Sequence, residues 1–382
     1  MKDKIAVVLL LTLFLASMLT LAFNIQPVKC EWTGETIYIR ADGSIEPASA
    51  PVITYDYVTY TLTDNIGSSA HGIVIKRDNI IINGAGYTIR CTGSGSYRGI
   101  SLEKRNNVTI KNTKIKNFYH GVYFNYSSNC EIYGNSITSN TEGIYFSGDS
   151  SNNAIYENDI AVDKYCNYGI HLVYSSNNTI YKNNIIVTSG DGILFEQSSN
   201  NAICENNICA EILFNSFTGV YLKQSSKNTI YGNNIKEHST GIYFERSSNN
   251  AIYGNNLTRN RVGIWLQGSS NNHFYHNNFV QSQWWQVYTF SSVNIWDNGY
   301  PSGGNYWSDY LTLYPGADEL DNSGLWDTPY VIDKDNQDHY PLIHIYVIPE
   351  FSSAIILPLF LASTLLAAIF SKRKQKSKSK TL

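Results

Sequence analysis

The chain has 382 residues, a formal net charge of −3 at pH 7 and 15% charged residues. Surfaces that bind nucleic acids are strongly basic, so this charge balance disfavours a nucleic-acid partner. Aromatic residues make up 13% of the chain and include 29 tyrosines. Low charge combined with many hydrogen-bonding rings suits a β-rich surface outside the cell.

The N-terminal segment carries a targeting pattern. An apolar run from Ile5 to Phe23 follows Lys2 and Lys4. A basic start followed by an apolar run is typical of a secretory signal peptide, which we assign to residues 1–29. An uncleaved membrane anchor is the alternative. We expect residues 30–70 to form a lead-in and a cap for the domain that follows.

A short block that begins with glycine recurs along the middle of the chain. The steps between successive glycines are 22 to 27 residues, and the glycines lie at positions 72, 99, 121, 143, 169, 192, 219, 241 and 263. A fixed period of about 22 residues indicates a solenoid. Apolar and polar residues alternate after each glycine, which predicts short strands. Regular leucines, typical of a leucine-rich repeat, are absent from the pattern. We predict an all-β parallel β-helix over residues 71–290, with about three strands per coil and a rise of about 4.8 Å.

Several columns of the repeat have a predicted direction. We expect the residue after each glycine to face the core, together with the residue two positions further on and a later isoleucine column. These columns include Ile100, Val122 and Ile144; Leu102, Phe124 and Phe146; and Ile132, Ile155 and Ile180. A recurring asparagine, three residues after each core isoleucine, predicts a ladder at the turns. Its members are Asn135, Asn158, Asn183, Asn206, Asn233, Asn255 and Asn277.

The residue two positions after each glycine lies between two inward residues, so it must face outward. This column reads Ser101, Tyr123, Tyr145, His171, Leu194, Tyr221, Tyr243 and Trp265. Aromatic rings can stack on the C–H faces of sugars. The candidate glycan-binding residues are therefore Tyr123, Tyr145, Tyr221, Tyr243 and Trp265. Stacking that only stabilises the sheet is the alternative.

Three residues near this column are candidates for catalysis. We expect Glu196 to lie one coil away from His171, and Asp191 to lie in a short insertion just before Gly192. Two carboxyl groups with a histidine nearby can support acid–base cleavage of a polysaccharide. Scattered surface carboxylates are the alternative explanation.

Residues 291–346 form a predicted C-terminal cap module that is rich in acidic side chains. Asp318, Asp321 and Asp327 supply oxygen ligands at short spacing around a glycine, which suits Ca²⁺. A solvated cap loop is the alternative. We expect a group of aromatic residues to seal the open end of the helix against other chains. The group consists of Trp284, Trp285, Trp296, Tyr306 and Trp307.

Cysteines and glycosylation motifs give weaker signals. The six cysteines, at 30, 91, 130, 166, 204 and 209, share no repeat column and form no CxxC pair. A cysteine metal site is therefore not expected, whereas a local bridge between Cys204 and Cys209 stays open. Four Asn-x-Ser/Thr sequences are candidate glycosylation sites in a protein outside the cell. Their asparagines are Asn107, Asn125, Asn177 and Asn256.

The C-terminal end predicts a membrane anchor. An apolar run from Phe351 to Phe370 precedes a segment rich in lysine. About 20 apolar residues are enough to span a bilayer, and a basic tail belongs on the cytoplasmic side. We therefore predict a transmembrane helix over residues 350–371, a cytoplasmic tail over 372–382 and an extracellular location for the β-helix.

The coil pattern Ser-x-Asn-Asn-x-Ile-x-x-Asn-x-Ile resembles the repeats of the NosD-like family, which is also grouped with carbohydrate-binding and sugar-hydrolase β-helices. Residues 304–310, 326–330 and 338–342 are similar to the C-terminal module of that family, and residues 36–45 and 60–66 to the lead-in of archaeal surface members. Pro349-Glu350-Phe351 resembles the PEF-type C-terminal signal of archaeal surface proteins. The resemblance implies a right-handed β-helix at the cell surface.

The resemblance leaves the activity open, because this fold hosts many functions. The namesake of the family works in copper delivery, but methionine occurs only at positions 1 and 18 and no Cys/His/Met group is evident. We therefore do not expect a copper role. The first hypothesis is binding of a polysaccharide or envelope glycan. The second is a glycoside hydrolase or polysaccharide lyase, and the third is a structural envelope protein or adhesin. The oligomeric state stays open.

Overall fold

The computed structural model describes residues 31–162, 167–211 and 217–347. These ranges contain many short strands and one short helix. In chain order they are β1 (Trp32–Gly34), β2 (Ile37–Ile39), β3 (Ile45–Glu46), β4 (Val52–Ile53), β5 (Thr59–Leu62), β6 (Ile66–Ser68), β7 (Ile73–Ile75), β8 (Ile80–Asn83), β9 (Thr88–Cys91), β10 (Arg98–Glu103), β11 (Val108–Lys111), β12 (Lys114–Lys116), β13 (His120–Asn125), β14 (Glu131–Tyr133), β15 (Ser136–Thr138), β16 (Glu142–Ser147), β17 (Ala154–Tyr156), β18 (Asp159–Val162), β19 (Asn167–Val173), β20 (Thr179–Tyr181), β21 (Asn184–Val187), β22 (Gly190–Glu196), β23 (Ala202–Cys204), β24 (Asn207–Ala210), β25 (Thr218–Lys223), β26 (Thr229–Tyr231), β27 (Asn234–Lys236), β28 (Thr240–Glu245), β29 (Ala251–Tyr253), β30 (Asn256–Thr258), β31 (Val262–Gln267), β32 (His273–Tyr275), β33 (Asn278–Val280), β34 (Trp285–Phe290), β35 (Tyr306–Trp307), α1 (Tyr310–Leu313), β36 (Tyr330–Asp333) and β37 (Asn336–Asp338).

Each coil contributes one strand to each of three long sheets. The first sheet has the order β1-β6-β9-β12-β15-β18-β21-β24-β27-β30-β33-β35. The second has the order β3-β2-β7-β10-β13-β16-β19-β22-β25-β28-β31-β34, and the third runs from β4 and β5 through β8 to β32. Neighbouring strands are parallel, except where β3 and β4 close the sheets and in the hairpin β36–β37. The predicted parallel β-solenoid is confirmed, with about 10 turns of about 23 residues.

The solenoid begins earlier than the repeat pattern predicts. Strands β1, β2 and β5 pair in parallel with β6, β7 and β8. The first coil therefore lies within residues 32–62, inside the segment that the sequence assigns to a lead-in. The antiparallel strands β3 and β4 form an insertion in this coil, which interrupts the period and hides it from the sequence pattern.

The predicted inward columns form one continuous apolar core. Ile100, Val122 and Ile144 are adjacent in register and fully buried, and the same holds for the columns of Leu102 and Ile132. Burial of one such side chain stabilises the fold by roughly 1.5–3 kcal/mol. The repetition of these columns therefore supplies the main stabilising term for each coil.

The repeated glycine marks a point of close approach between coils. A Cβ atom on Gly192 would lie 2.5 Å from the carbonyl oxygen of Gly219 and 2.5 Å from a methyl carbon of Ile208. No side chain fits at that distance, so glycine is required by sterics at this corner. The 22-residue period in the sequence therefore reports a packing constraint.

The predicted asparagine ladder is buried between coils. The Oδ1 atom of Asn206 accepts hydrogen bonds from the backbone N–H of Asn183 at 2.9 Å and from its Nδ2 at 3.0 Å. Its own Nδ2 donates to the carbonyl oxygens of Ile180 at 2.9 Å and Cys204 at 3.0 Å. Each asparagine therefore satisfies backbone groups that the turn leaves unpaired.

The C-terminal module continues the interior of the coils. Asn305 extends the asparagine ladder beyond Asn277, and its backbone N–H donates to the buried carboxylate of Asp338 at 2.7 Å. The ring of Trp296 stacks on Phe274, and Trp307 stacks on Phe279, both at 4.3 Å. Trp296 and Trp307 seal the end of the core as predicted.

The rest of the predicted aromatic seal lies elsewhere. Trp284 and Trp285 are exposed and Tyr306 is half-buried, so the prediction that all five aromatic residues close the helix is wrong for these three. The core columns end on Trp296 and Trp307, and the ring of Tyr330 covers Trp307 at 4.0 Å.

The predicted ends of the chain lie outside the described residues. These are the signal peptide at 1–29, the transmembrane helix at 350–371 and the basic tail at 372–382. Within the described ranges, no helix is both long and apolar enough to cross a membrane. Cys91, Cys130, Cys204 and Cys209 are free thiols, so Cys204 and Cys209 do not form a bridge.

Candidate functional site

The predicted outward column forms one row across the second sheet. Tyr123 pairs with Tyr145, and Tyr145 with His171, without a shift in register. Leu194 pairs with Tyr221, which pairs with Tyr243 in turn. Trp265 and Tyr288 extend the row. We call this set the outer row; its members are Tyr123, Tyr145, His171, Leu194, Tyr221, Tyr243, Trp265 and Tyr288.

A second outward column, which the sequence analysis missed, lies beside the outer row. It consists of the residues immediately before the glycines, namely Arg98, His120, Glu142, Tyr168, Asp191, Thr218, Thr240 and Val262. Simple alternation would point these side chains inward. The glycine itself takes the inward position, because it packs against the core, and its predecessor turns outward. The ring of His120 accordingly stacks on Tyr145 at 4.8 Å.

Both columns meet near the middle of the sheet in a group of charged side chains. We define the charged cluster as Glu142, His171, Asp191, Glu196 and Lys223. The ring nitrogens of His171 lie between two carboxylates, with Nδ1 3.7 Å from Oε1 of Glu142 and Nε2 3.6 Å from Oε2 of Glu196. The Nζ of Lys223 donates to Oε1 of Glu196 at 2.8 Å. The structure thus places His171 beside Glu196 and adds Glu142 and Lys223, and Asp191 lies near enough for the charge of His171 to influence its carboxyl group.

Two histidines in this region have opposite pKa shifts. Burial disfavours the charged form of His171, but the carboxylates of Glu142 and Glu196 outweigh burial and raise its pKa above the ordinary value. Burial lowers the pKa of His120 to about 4, although Glu142 opposes this shift. His171 therefore holds its proton more strongly than a free imidazole, whereas His120 is neutral at pH 7.

The two predicted catalytic carboxyl groups also differ in pKa. Burial raises the pKa of Asp191 to about 6, against polar contacts with Thr218 that lower it. The neighbouring ring of His171 is the main reason that the pKa of Glu196 is lowered to about 2. Asp191 lies within strand β22 and is not part of an insertion, contrary to the sequence prediction, because it pairs with Tyr168 in the preceding coil.

The charged cluster contains unused hydrogen-bonding capacity. Among the described residues, no hydrogen-bond partner reaches Oδ1 of Asp191, Oε2 of Glu142 or either ring nitrogen of His171, although all four atoms are buried. Buried polar atoms are normally hydrogen-bonded. This concentration of buried polar atoms without a hydrogen bond distinguishes the cluster from the ladders around it.

The tyrosines of the outer row stack on one another. The rings of Tyr221 and Tyr243 are 4.7 Å apart with an interplanar angle of 22°, and those of Tyr123 and Tyr145 are 5.7 Å apart at 21°. Stacked rings turn their faces to each other and their edges and hydroxyls to solvent. Trp265 crosses Tyr243 at 62°. The expectation of a stripe of outward ring faces therefore needs correction for the tyrosine pairs.

The three aspartates predicted to bind Ca²⁺ do not form a three-carboxylate group. Oδ1 of Asp327 instead accepts hydrogen bonds from the backbone N–H of Asp318 at 3.1 Å and from the hydroxyl of Thr328 at 2.9 Å. Asp321 is exposed at a turn with a φ of 52°. Throughout the part of the chain that the structure describes, no group of three or more His, Cys, Asp or Glu side chains is arranged to hold a metal ion.

The predicted glycosylation sites differ in accessibility. Asn107 and Asn177 are exposed, whereas Asn125 and Asn256 are half-buried. Asn256 also donates from its Nδ2 to Oδ1 of Asn234 at 3.3 Å. If the chain is glycosylated, we expect attachment at Asn107 and Asn177 before the other two.

Similarity to known structures is confined to the fold. A point mutant of the periplasmic alginate epimerase AlgG aligns with a TM-score of 0.43 and 14% identity, over 62% of this chain and 78% of that chain. The Dettilon tailspike protein (gp208) aligns with a TM-score of 0.46 and 17% identity, over 72% and 66%. DFA-IIIase from Arthrobacter chlorophenolicus A6 without its lid aligns with a TM-score of 0.40 and 13% identity, over 64% and 63%. The function of this chain must therefore be inferred from its own residues.

Family comparisons agree with the architecture. No curated protein matches the sequence significantly. Residues 52–166 and 98–212 match the family described as right handed beta helix region. Residues 161–312 match the family described as periplasmic copper-binding protein (NosD). The chain is a parallel β-helix repeat protein, and parts of it are similar to the NosD family and to the right-handed β-helix family.

Proposed function

We propose that the protein binds a polysaccharide lengthwise along the outer face of the second sheet, outside the cell. The observation that carries this proposal is the outer row, in which half-buried rings lie in strict register on either side of the buried His171 and Leu194. A straight face with repeating chemistry fits a ligand that also repeats. No single deep pocket is needed for such a ligand.

The polar side chains beside the row suit sugar hydroxyl groups. The hydroxyl of Tyr221 donates to Glu245, and that of Tyr243 donates to Oε1 of Gln267 at 2.7 Å. Each pair presents an aromatic edge next to a polar acceptor. Sugars need the same combination, because their rings have apolar C–H groups and their rims have hydroxyl donors. The charged cluster adds stronger hydrogen-bonding groups at the centre of the face.

The test is a polysaccharide panel with the full-length chain and a paired variant, Tyr221→Ala with Tyr243→Ala. We expect retention of at least one polysaccharide by the wild type and loss of retention in the variant. The matched control is Tyr231→Ala with Tyr253→Ala, because these rings are stacked at 5.2 Å in the third sheet, on another face. Equal loss in both variants would indicate a general effect on folding. If the wild type retains no polysaccharide in a broad panel, the result would favour a structural role in the envelope.

A second candidate function, acid–base cleavage of the bound glycan, is favoured by the charged cluster. Asp191 and Glu196 lie on one strand, and their pKa values of about 6 and about 2 are far apart. Two carboxyl groups whose pKa values differ in this way suit the roles of proton donor and ionised carboxylate. Here Asp191 would hold the proton and Glu196 would act as the carboxylate, beside the ring of His171, whose pKa is raised by the neighbouring carboxylates.

The enzyme hypothesis predicts that Glu196→Gln abolishes release of reducing ends or unsaturated products and leaves glycan retention nearly unchanged. Loss of a catalytic carboxylate lowers turnover, since the amide cannot carry the negative charge. Product release is measured on the polysaccharide that the panel identifies. The matched control is Glu205→Gln, because Glu205 also pairs with a lysine, Lys182 at 3.7 Å, but lies outside the outer row and the charged cluster. Retention without any product from the wild type would reject the enzyme hypothesis and leave the binding proposal standing.

A further inference from the structure

A cavity of about 360 Å³ lies at the C-terminal end of the second sheet. It is formed where the start of β34 meets the α1 turn and strand β36. This volume falls in the range of small-molecule sites. The cavity is separate from the charged cluster, which lies several coils away near the middle of the sheet.

Two tryptophans line this cavity without contributing to the core. Trp284 and Trp285 are 60% and 49% exposed, and their ring planes are inclined by 73°. The guanidinium of Arg261 lies 5.1 Å from the ring centre of Trp284 and supports that ring by a cation–π contact. Large exposed rings of this kind are more typical of a binding site than of a folding requirement.

Polar groups converge on the same cavity. The hydroxyl oxygen of Ser308 accepts hydrogen bonds from the backbone N–H of Gln281 at 2.9 Å and from Nε2 of Gln286 at 3.1 Å. Both lone pairs of the Ser308 oxygen are thus used, and its own proton remains available to donate to a ligand. The Asp309 carboxylate accepts from the hydroxyl of Tyr330 at 3.1 Å and retains further acceptor capacity.

A buried amide group strengthens the case for a ligand. Gln286 is more than nine-tenths buried and lines the cavity. Among the described residues, no hydrogen-bond partner reaches its Oε1 atom. An unpaired buried acceptor carries an energetic penalty that a bound donor would remove. A ligand hydroxyl is a donor of the required kind.

The chemistry of the lining selects the class of ligand. The described lining residues include the carboxylate of Asp309 but no Lys or Arg. An anionic sugar would therefore meet the carboxylate of Asp309, whereas the guanidinium of Arg261 lies against the ring of Trp284 and outside the lining. A neutral sugar offers C–H faces to Trp284 and Trp285, and hydroxyl donors to Asp309 and Gln286. We propose that this cavity binds one neutral sugar residue.

The outer row leads directly to this cavity. Trp265 lies 5.8 Å from Tyr243 and 4.9 Å from Tyr288, and Tyr288 lies 5.4 Å from Trp285. The aromatic surface is therefore continuous from the middle of the second sheet to the cap. If the proposed glycan binding along the row is right, on which this step rests, the cavity receives a terminal sugar residue of that glycan.

The experiment uses saturation-transfer NMR on the full-length chain with methyl glycosides of glucose, galactose, mannose and N-acetylglucosamine, and with methyl glucuronide as the anionic comparison. We expect at least one neutral glycoside to bind at millimolar concentration and the glucuronide to give no signal. Trp285→Ala should weaken binding about tenfold and Ser308→Ala about fivefold, through lost stacking and one lost hydrogen bond.

A matched pair of leucines controls for effects on the fold. Leu313 lines the cavity, whereas Leu311 of the same helix does not, and their exposed fractions are 53% and 55%. We expect Leu313→Ala to weaken binding of the glycoside and Leu311→Ala to leave it unchanged. Equal effects of the two substitutions would contradict a site in this cavity.

The outcome separates this inference from the proposed function. Binding of a methyl glycoside that persists in the Tyr221→Ala, Tyr243→Ala variant and is lost in Trp285→Ala supports the cavity, whether or not the row binds polysaccharide. The proposal for the cavity alone is overturned if retention of polysaccharide depends on the tyrosine pair and no glycoside binds at the cavity. Stronger binding of the glucuronide than of any neutral glycoside also overturns it.

Discussion

At the scale of single residues, burial and neighbouring charge give identical groups different chemistry. Asp191 and Glu196 share a strand, but burial raises the pKa of Asp191 to about 6, whereas His171 and Lys223 help to lower that of Glu196 to about 2. His171 and Lys223 contact Glu196 from neighbouring coils. The chemistry of each carboxyl group is therefore set by the coils on either side of it.

The raised pKa of Asp191 makes stability depend on pH. The folded chain retains a proton that the unfolded chain releases between pH 3.8 and about 6, so stability falls as pH rises through this window. The loss is on the order of 3 kcal/mol, at 1.36 kcal/mol per pKa unit. Asp191→Asn cannot ionise, and we expect it to raise the melting temperature at pH 8 and to change it little at pH 4.

Thermal melts at the two pH values, followed by circular dichroism, check this prediction. The control is Asp159→Asn, which removes an exposed aspartate from the same solenoid and should change neither melt by much. A shift for Asp191→Asn of the same size at pH 4 and pH 8 would show that ionisation is not its cause.

The candidate site could be predicted in part from single columns. The glycine period predicted that His171 and Glu196 lie in adjacent coils, and the register of β19 and β22 confirms this position, whereas the catalytic role of both residues and of Asp191 stays a prediction. The sequence analysis missed Glu142 and His120, because alternation fails at the glycine corner, where the glycine itself takes the inward position. A sequence reading that treats the residue before each glycine as outward would have found both.

At the scale of elements, the ladders hold adjacent coils in register. Each buried asparagine accepts from one coil and donates to backbone carbonyl groups, as Asn206 does with Asn183 and Ile180. The ladder supplies hydrogen bonds at the turns, where the sheets cannot. The parallel register of the outer row depends on the alignment of adjacent coils by this ladder, since a slip by one residue would turn the row inward.

The ladder predicts a sharp contrast between two adjacent asparagines. Asn206→Ala removes five hydrogen bonds and leaves the backbone N–H of Asn183 unpaired in a buried position. We expect a loss of about 2–4 kcal/mol in the free energy of unfolding. Asn207→Ala, in a half-buried ladder with Asn184 and Asn234, should lose less than about 1 kcal/mol.

Chemical denaturation of the two variants measures this difference. Local unfolding of a solenoid can blur a single transition, so the comparison uses the midpoint and the slope together. Equal losses for Asn206→Ala and Asn207→Ala would mean that the buried ladder contributes no more to stability than the half-buried one, and would reject its role in holding the coils together.

At the scale of the whole molecule, the sequence repeat predicts the fold of the coils but not the structure at the two ends of the solenoid. The three apolar columns and the glycine period were enough to predict a parallel β-helix. The sequence could not show that the first coil begins near Trp32, because the β3–β4 insertion interrupts the repeat. It also could not divide the tryptophans between the seal and the surface, because that division depends on Tyr330 and Asp338 folding back over the last coil.

The same face of the molecule carries the three features with a proposed function. The outer row, the charged cluster and the cap cavity all lie along the second sheet. A ligand that engages all of them must be long, because the row crosses successive coils at about 4.8 Å per coil. This arrangement favours a polymer over a small molecule as the natural ligand.

The most direct test of the central claim is the dissociation constant of the full-length chain for a polysaccharide that it retains. We predict that Tyr221→Ala with Tyr243→Ala raises this constant at least about tenfold, which corresponds to about 1.4 kcal/mol. The third-sheet pair, Tyr231→Ala with Tyr253→Ala, should leave it within about twofold. An unchanged constant in the outer-row variant, in a protein that remains folded, would contradict glycan binding along the second sheet.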